Sequence, residues 1–204
     1  MAMITVTGIG PGEVSLLLNR VLDEIEQSDI VIGSSRQLDV VPVTFTGVKK
    51  ELPKKLLELE VFLQKEKDKK VVILASGEPL LYGIGNWMMT KFEAKDIQII
   101  PGISSMQYMF SQLKLSMNDT YFTSSHGKEP NYDLIFSLSK VALVTDEKTG
   151  PYQLAEEIRR RGLKRTIFIG ENLSYPNENI RKFDESNVPN EVFNMNVVVL
   201  LDEG

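Results

Sequence analysis

The sequence predicts an α/β protein of two domains, and three observations carry that expectation. Val71-Val72-Ile73-Leu74-Ala75 is an unbroken β-branched and apolar run, the pattern of a parallel strand covered on both faces. Three strands of the first half each end in a turn of glycine, serine or proline before a helix: Gly8–Gly12, Ser76–Pro79 and Pro101–Ser105. In the second half, Ile180–Phe183 and Asn196–Leu201 are separated by short turns and Pro189, which points to antiparallel pairing rather than helical crossovers. We therefore expect a mostly parallel N-terminal sheet with helices on both faces over residues 1–112. A C-terminal mixed α+β sheet is expected over residues 113–204.

Taken in order, Ile4-Thr5-Val6-Thr7-Gly8-Ile9-Gly10-Pro11-Gly12 runs a short strand into alternately spaced glycines, and Leu18, Val21, Leu22 and Ile25 then share one helical face. Glycines let a backbone turn sharply and let a ligand approach where a side chain would collide. The spacing is neither the G-x-G-x-x-G fingerprint nor a P-loop, and no acidic residue closes a strand ~20 residues later. Pro11 has no N–H to offer, so the turn reads as a stiff wall rather than a phosphate nest.

Asp29–Gly33 is a second strand, Gly33-Ser34-Ser35-Arg36 a polar loop at its end, and Val43–Phe45 a third strand. Leu52, Leu56, Leu59 and Leu63 form a helical face, and the run Lys65–Lys70 is its solvated end. Trp87 and Tyr82 read as helix packing. Ile97–Ile100 is the next strand, and Pro101-Gly102-Ile103-Ser104-Ser105 opens a helix. In a doubly wound parallel sheet the three turns open on one edge, outside the carboxyl ends of the strands, where a shared ligand cleft is expected.

The pattern loosens between Ser111 and Asp119. Tyr121–Thr123, Val141–Thr145 and Thr166–Gly170 follow as strands. Between the last two, a helix turns Leu154 and Ile158 inward and pairs Glu156 with Arg160 and Glu157 with Arg161 at i,i+4.

At 204 residues, 42% hydrophobic and 25% charged, the chain has the composition of an ordinary globular protein with a sizeable core. Its lack of cysteine excludes disulfides, thiol nucleophiles and cysteine-ligated metals, and with His126 the sole histidine no metal centre is expected. A net charge of −5 does not indicate a general nucleic-acid surface. No apolar run reaches the ~18 residues of a membrane span, and the start lacks a signal-peptide layout, so a cytoplasmic protein without membrane contact is expected. Met1-Ala2-Met3 is consistent with a cloning remnant.

Three of these motifs together resemble the tetrapyrrole (corrin and porphyrin) methyltransferases: Val6–Gly12, Ser76-Gly77-Glu78-Pro79-Leu80-Leu81-Tyr82-Gly83 at the family's Gly-Asp-Pro box, and Pro101–Ser105. Ser124-Ser125-His126-Gly127-Lys128 and Gly170-Glu171-Asn172-Leu173-Ser174-Tyr175-Pro176 resemble the branch that methylates C5 of the precorrin ring in cobalamin synthesis. Glu78 stands where the family has aspartate, and Ser125 where the branch has leucine. The longer side chain at 78 is tolerable if backbone groups there hold the cofactor.

The resemblance implies the two-domain tetrapyrrole methylase architecture, S-adenosyl-L-methionine as cofactor and a corrinoid substrate in a trough between the domains. It assigns Pro11, Ser76, Gly77, Glu78, Leu81, Ser104, Ser105, Thr145, Gly170, Glu171 and Asn172 to the cofactor. Gly10, Gly12, Arg36 and Lys128 go to the substrate, the two cations suiting its carboxylates. A homodimer is implied as well. Some relatives carry a fused second methyltransferase for decarboxylation and C15 methylation; a chain ending at Gly204 is expected to leave that step to a separate subunit.

Methyl transfer from a sulfonium asks mainly for placement, in keeping with a sequence that shows no triad and no carboxylate pair. Histidine is the side-chain type that ordinarily gains or loses a proton near neutral pH, and His126 is the only one in the sequence; it is either a loop histidine held by a carbonyl, or a proton handler or carboxylate ligand at the substrate. The competing expectations are methylation of another tetrapyrrole or of a modified protein histidine, and a non-catalytic nucleotide-binding α/β protein.

Overall fold

The computed structural model describes residues 3–202, so Met1 and Ala2 of the presumptive remnant lie outside the described residues. The chain divides into two compact units, Met1–Ser104 and Ser105–Gly204.

In the first unit, β1 (Ile4–Gly8), β2 (Ile30–Gly33), β3 (Val48–Glu51), β4 (Val71–Ala75) and β5 (Ile97–Ile100) form one sheet in the order β3-β2-β4-β1-β5. Every pairing is parallel, with Ile4 opposite both Val71 and Ile97. The apolar run at 71–75 is the central strand because successive side chains bury on opposite faces. Ile4, Val6, Ile32 and Ile73 pack with Leu59 and Leu63 of α3 (Leu56–Lys65) and Met88 of α4 (Ile84–Lys91). On the other face Val31, Val72 and Leu74 meet Val21 and Ile25 of α1 (Asn19–Glu26). The chain leaves β1 toward β2 along one face and leaves the adjacent β4 toward β5 along the other. The carboxyl ends of β1 and β4 are therefore the topological switch point, where α/β sheets take ligands.

Two local expectations are corrected. Val43–Phe45 is not a strand: Val43 is fully exposed, and the third strand is Val48–Glu51 at the sheet edge, whose single neighbour leaves it too polar to announce itself. The polar loop after β2 contains a short helix, α2 (Ser35–Leu38), whose N-cap Ser34 forms a capping box with Gln37. Trp87 packs against the first core, whereas Tyr82 is exposed, at a left-handed φ of 57°.

The second unit joins β6 (Tyr121–Ser124), β7 (Lys140–Val144), β8 (Arg165–Glu171), β9 (Asn179–Asp184) and β10 (Asn196–Asp202) in the order β6-β7-β10-β8-β9. Only the β6–β7 pairing is parallel, so the sheet is mixed, with the β-branched β10 at its centre. One face is covered by α6 (Tyr132–Ser137) and α7 (Pro151–Arg160) through Ile135, Phe136, Leu154 and Ile158. Met109 and Phe110 of α5 (Ser105–Leu113) are fully buried; Phe110 meets Phe122 of β6 edge to face, and Met109 lies against Gly170. On α7 the expected i,i+4 pair Glu157–Arg161 forms, whereas the expected Glu156–Arg160 pair does not. Glu156 pairs with Arg159, and Glu157 takes both Arg160 and Arg161, whose hydrogen bonds hold its carboxyl down to about 2.

Leu59 is buried in the first core, and truncation leaves a cavity its neighbours cannot fill. Leu59→Ala is expected to lower unfolding stability by about 2–5 kcal/mol, read as the urea midpoint at unchanged slope.

Candidate active site

Three strand ends of the first unit meet backbone on backbone. A Cβ built on Gly8 would lie 2.3 Å from the Gly77 carbonyl oxygen, and one on Gly102 would lie 2.2 Å from the same atom. No side chain fits at either place. Gly77 N–H donates to Gly10 O at 2.8 Å and Ile9 N–H to Ala75 O at 2.9 Å, which ties the first turn to the second. Glu78 ties the second to the third: Oε2 accepts from Gly102 N–H at 3.2 Å and Oε1 from Leu80 N–H at 2.8 Å. The glutamate in place of the family's aspartate is thus long enough to brace a neighbouring turn. Leu81 N–H closes the same turn onto Glu78 O at 3.2 Å.

The structure therefore assembles Gly10, Pro11, Gly12, Ser76, Gly77, Glu78 and Leu81 at one edge, with Ser104 buried just beyond Gly102. Arg36 joins them, its Nη2 donating to Ser76 Oγ at 3.2 Å. Gln37, which sequence reasoning passed over, donates to the same oxygen from Nε2 at 3.0 Å. Its signal was present in Ser34-Ser35-Arg36-Gln37, a serine followed three residues on by glutamine.

In the second unit the loop after β6 is fixed by the loop after β7. Ser125 N–H donates to Val144 O at 3.0 Å, and the buried Ser125 hydroxyl donates to Thr149 O at 3.0 Å. Serine in place of leucine thus serves as a hydrogen-bonded tie. Asp146, also unforeseen, is the hub of both loops. Its Oδ2 accepts from Gly127 N–H at 2.7 Å, and its Oδ1 accepts from Lys148 and Thr149 N–H at 2.9 Å each. The Gly127 bond first, then the other backbone donors and the nearby His126, hold the Asp146 carboxyl below the usual carboxylate range. His126 N–H donates to Ser124 Oγ at 3.1 Å. His126, Lys128 and Thr145 line an open cavity of about 1720 Å³, together with Asp146, Tyr152 and Asn196.

Thr145 Oγ1 donates to Asn196 Oδ1 at 2.8 Å, and Asn196 pairs in register with Glu171. The Glu171 carboxylate is buried and engaged, accepting from Arg181 Nη2 at 3.0 Å and from Asn194 N–H at 2.9 Å. Asn172 follows at a left-handed φ of 47°, its N–H donating to Met195 O at 2.9 Å. Gly170 lies against Met109, and Ser105 is the first residue of α5. The described residues hold no group of three or more His, Asp or Glu side chains placed to bind a metal. None of their helices is long and apolar enough to cross a membrane.

Two outcomes follow from this geometry. Gly102→Ala forces a Cβ into the Gly77 carbonyl and is expected to cost about 1–3 kcal/mol, measured by chemical unfolding. Because the folded-state pKa of Asp146 is depressed, its contribution is fully present above the unfolded value of ~3.9 and is lost as pH falls through the lower folded value. The amide protons of Gly127, Lys148 and Thr149 should titrate together in NMR spectra with a midpoint below that value; a midpoint at or above it would contradict the arrangement.

Comparison with known proteins identifies the family. The family described as Tetrapyrrole (Corrin/Porphyrin) Methylases matches residues 3–189. A Salmonella typhimurium protein named cobalt-precorrin-7 C(5)-methyltransferase is 40% identical over 98% of this chain and 100% of its own. A Methanocaldococcus jannaschii protein named probable cobalt-precorrin-7 C(5)-methyltransferase is 35% identical over 87% of each chain. Among solved structures, the uroporphyrin-III C-methyl transferase from Thermus thermophilus complexed with S-adenyl homocysteine shares the fold. Its TM-score is 0.77 at 20% identity, covering 99% of this chain and 98% of that one. With its strand-end turns joined at a switch point and its sequence matched nearly end to end, the chain belongs to the tetrapyrrole methylase family.

Proposed function

We propose that the chain transfers the methyl group of S-adenosyl-L-methionine to C5 of a corrin precursor, cobalt-precorrin-7 by the name its relatives carry, or its metal-free counterpart, rather than an earlier precorrin, with release of S-adenosylhomocysteine. The full-length 40% identity to the Salmonella typhimurium C5-methyltransferase carries this reading. The residues present suit the cofactor: the turns at Gly8, Gly77 and Gly102 are locked backbone to backbone at the switch point, and the Ser76 hydroxyl is exposed beside them. Pro11, Gly77, Glu78 and Leu81 hold it there, mainly through backbone groups.

When bound, S-adenosylmethionine supplies an activated methyl carbon, and the meso carbon of a reduced tetrapyrrole is nucleophilic enough to take it. What the protein adds is placement, which converts an encounter between two molecules into an aligned, effectively unimolecular step. The rigidity of the turn assembly serves that end, because every turn is pinned by a bond to another. Arg36 and Lys128 are assigned to the substrate's acetate and propionate groups, which charge-assisted hydrogen bonds suit. His126, on a loop fixed through Gly127, handles a proton or a ring carboxylate at the substrate. A cytoplasmic homodimer acting beside a separate C15-methylating subunit completes the proposal.

Isothermal calorimetry is expected to show S-adenosylhomocysteine binding in the micromolar range. Incubation with the corrinoid and S-adenosylmethionine should yield a product one methyl group heavier, with C5 as the labelled position in NMR. Absence of both binding heat and thermal shift would falsify the assignment, and methylation of uroporphyrinogen alone would move it to another branch.

A further inference from the structure

The Ser76 hydroxyl has a fixed polarity. A serine hydroxyl offers one proton and two acceptor lone pairs. Arg36 Nη2 at 3.2 Å and Gln37 Nε2 at 3.0 Å can only donate, so both lone pairs are taken. The Gln37 amide cannot be turned round. Its Oε1 accepts from Ser34 N–H at 2.7 Å in the capping box, which leaves the NH₂ group as the end that faces Ser76. Gln37, on α2, is 9% exposed, and its Cβ lies beside Gly33 at the end of β2. The Ser76 proton is left to point away from both neighbours, and among the described residues no acceptor receives it.

We propose that Gln37 is a positioning residue that makes Ser76 a hydrogen-bond donor, and that Ser76 and Arg36 together take a carboxylate at the switch point. A donor hydroxyl beside a guanidinium selects an anionic acceptor, since a ligand donor such as an ammonium group would meet donors only. The inference rests on the methyltransferase reading for the two sources of that carboxylate, the amino-acid tail of the cofactor and an acetate or propionate of the corrinoid. It adds to that reading a residue outside the turns and a defined direction for the hydrogen bond. In Gln37→Glu the capping oxygen is retained while the other oxygen becomes an acceptor. Ser76 must then donate inward, so the proton is withdrawn from the ligand.

The test compares the full-length wild type with Ser76→Ala, Gln37→Glu and the double variant. Calorimetry is run with S-adenosylhomocysteine and with 5′-methylthioadenosine, which lacks the amino-acid tail, and KM and kcat are measured with the corrinoid. Ser76 is exposed and glutamate suits the capping position, so all variants are expected to keep the wild-type Tm within a few degrees. If the cofactor tail is the ligand, each single variant binds S-adenosylhomocysteine about tenfold or more weakly and 5′-methylthioadenosine unchanged. If the corrinoid is the source, both adenosine ligands bind as before while KM for the corrinoid rises about tenfold at unchanged kcat. In either case the double variant is little worse than Ser76→Ala, because Gln37 acts through Ser76. Full additivity would mean that the new charge alone repels the ligand and would overturn the role of Gln37. Retention of all affinities and of KM in Ser76→Ala, or equal weakening of both adenosine ligands, would overturn the carboxylate site. A wild type that binds no S-adenosylhomocysteine and transfers no methyl group would instead sink the methyltransferase reading and the inference with it.

Discussion

The first unit depends on the contact of three backbones that have no side chains to keep them apart. Gly8, Gly77 and Gly102 stand at the ends of neighbouring strands, and a Cβ on the first or the last would be driven into the Gly77 carbonyl. This closeness is what lets Gly77 N–H reach Gly10 and lets the Glu78 carboxylate reach Gly102. Three loops that would otherwise move separately become one surface. For a reaction whose demand is alignment rather than acid or base strength, a stiff surface is the main contribution a protein can make.

The second unit solves a similar problem with a side chain. Asp146 gathers three N–H groups from two loops, so a single carboxylate sets the course of its own loop and of the chain just after His126. Ser125 adds a second tie through Thr149 O. Glu78 and Ser125 act in the same way. Each puts a polar atom where it can bond to a backbone group of another loop.

Much of the architecture was legible because burial on two faces leaves a mark on composition. The central strands β4 and β10 carry continuous apolar runs rich in β-branched residues, and the glycine turns announce themselves by spacing. The edge strand β3 does not: Val48-Lys49-Lys50-Glu51 has one paired neighbour, carries charge, and reads as loop, while the apolar but exposed Val43 nearby is a false lead. The helices α2 and α6, of four and six residues, are too short for periodicity to register. The site shows the same divide. Turn residues were legible from their local conformational demands. The capping role of Gln37 was legible as well, but its bond to Ser76 was not, nor that of Asp146 to Gly127, since only the folded chain brings these partners within reach.

The order of strands in the first sheet has a consequence for how the protein is made. β1 leaves the ribosome before both of its neighbours, β4 and β5, so Ile4 must wait for Val71 on one side and Ile97 on the other. Until then a wholly buried strand is a solvated apolar segment with both hydrogen-bonding edges open. Distant pairings of this kind close slowly, because loop entropy is spent before any contact compensates it. This strand is therefore made well before the partners that seat it. The vulnerable period of the nascent chain is the time needed to translate from β1 to β5, when chaperone capture or premature pairing with another chain competes with folding.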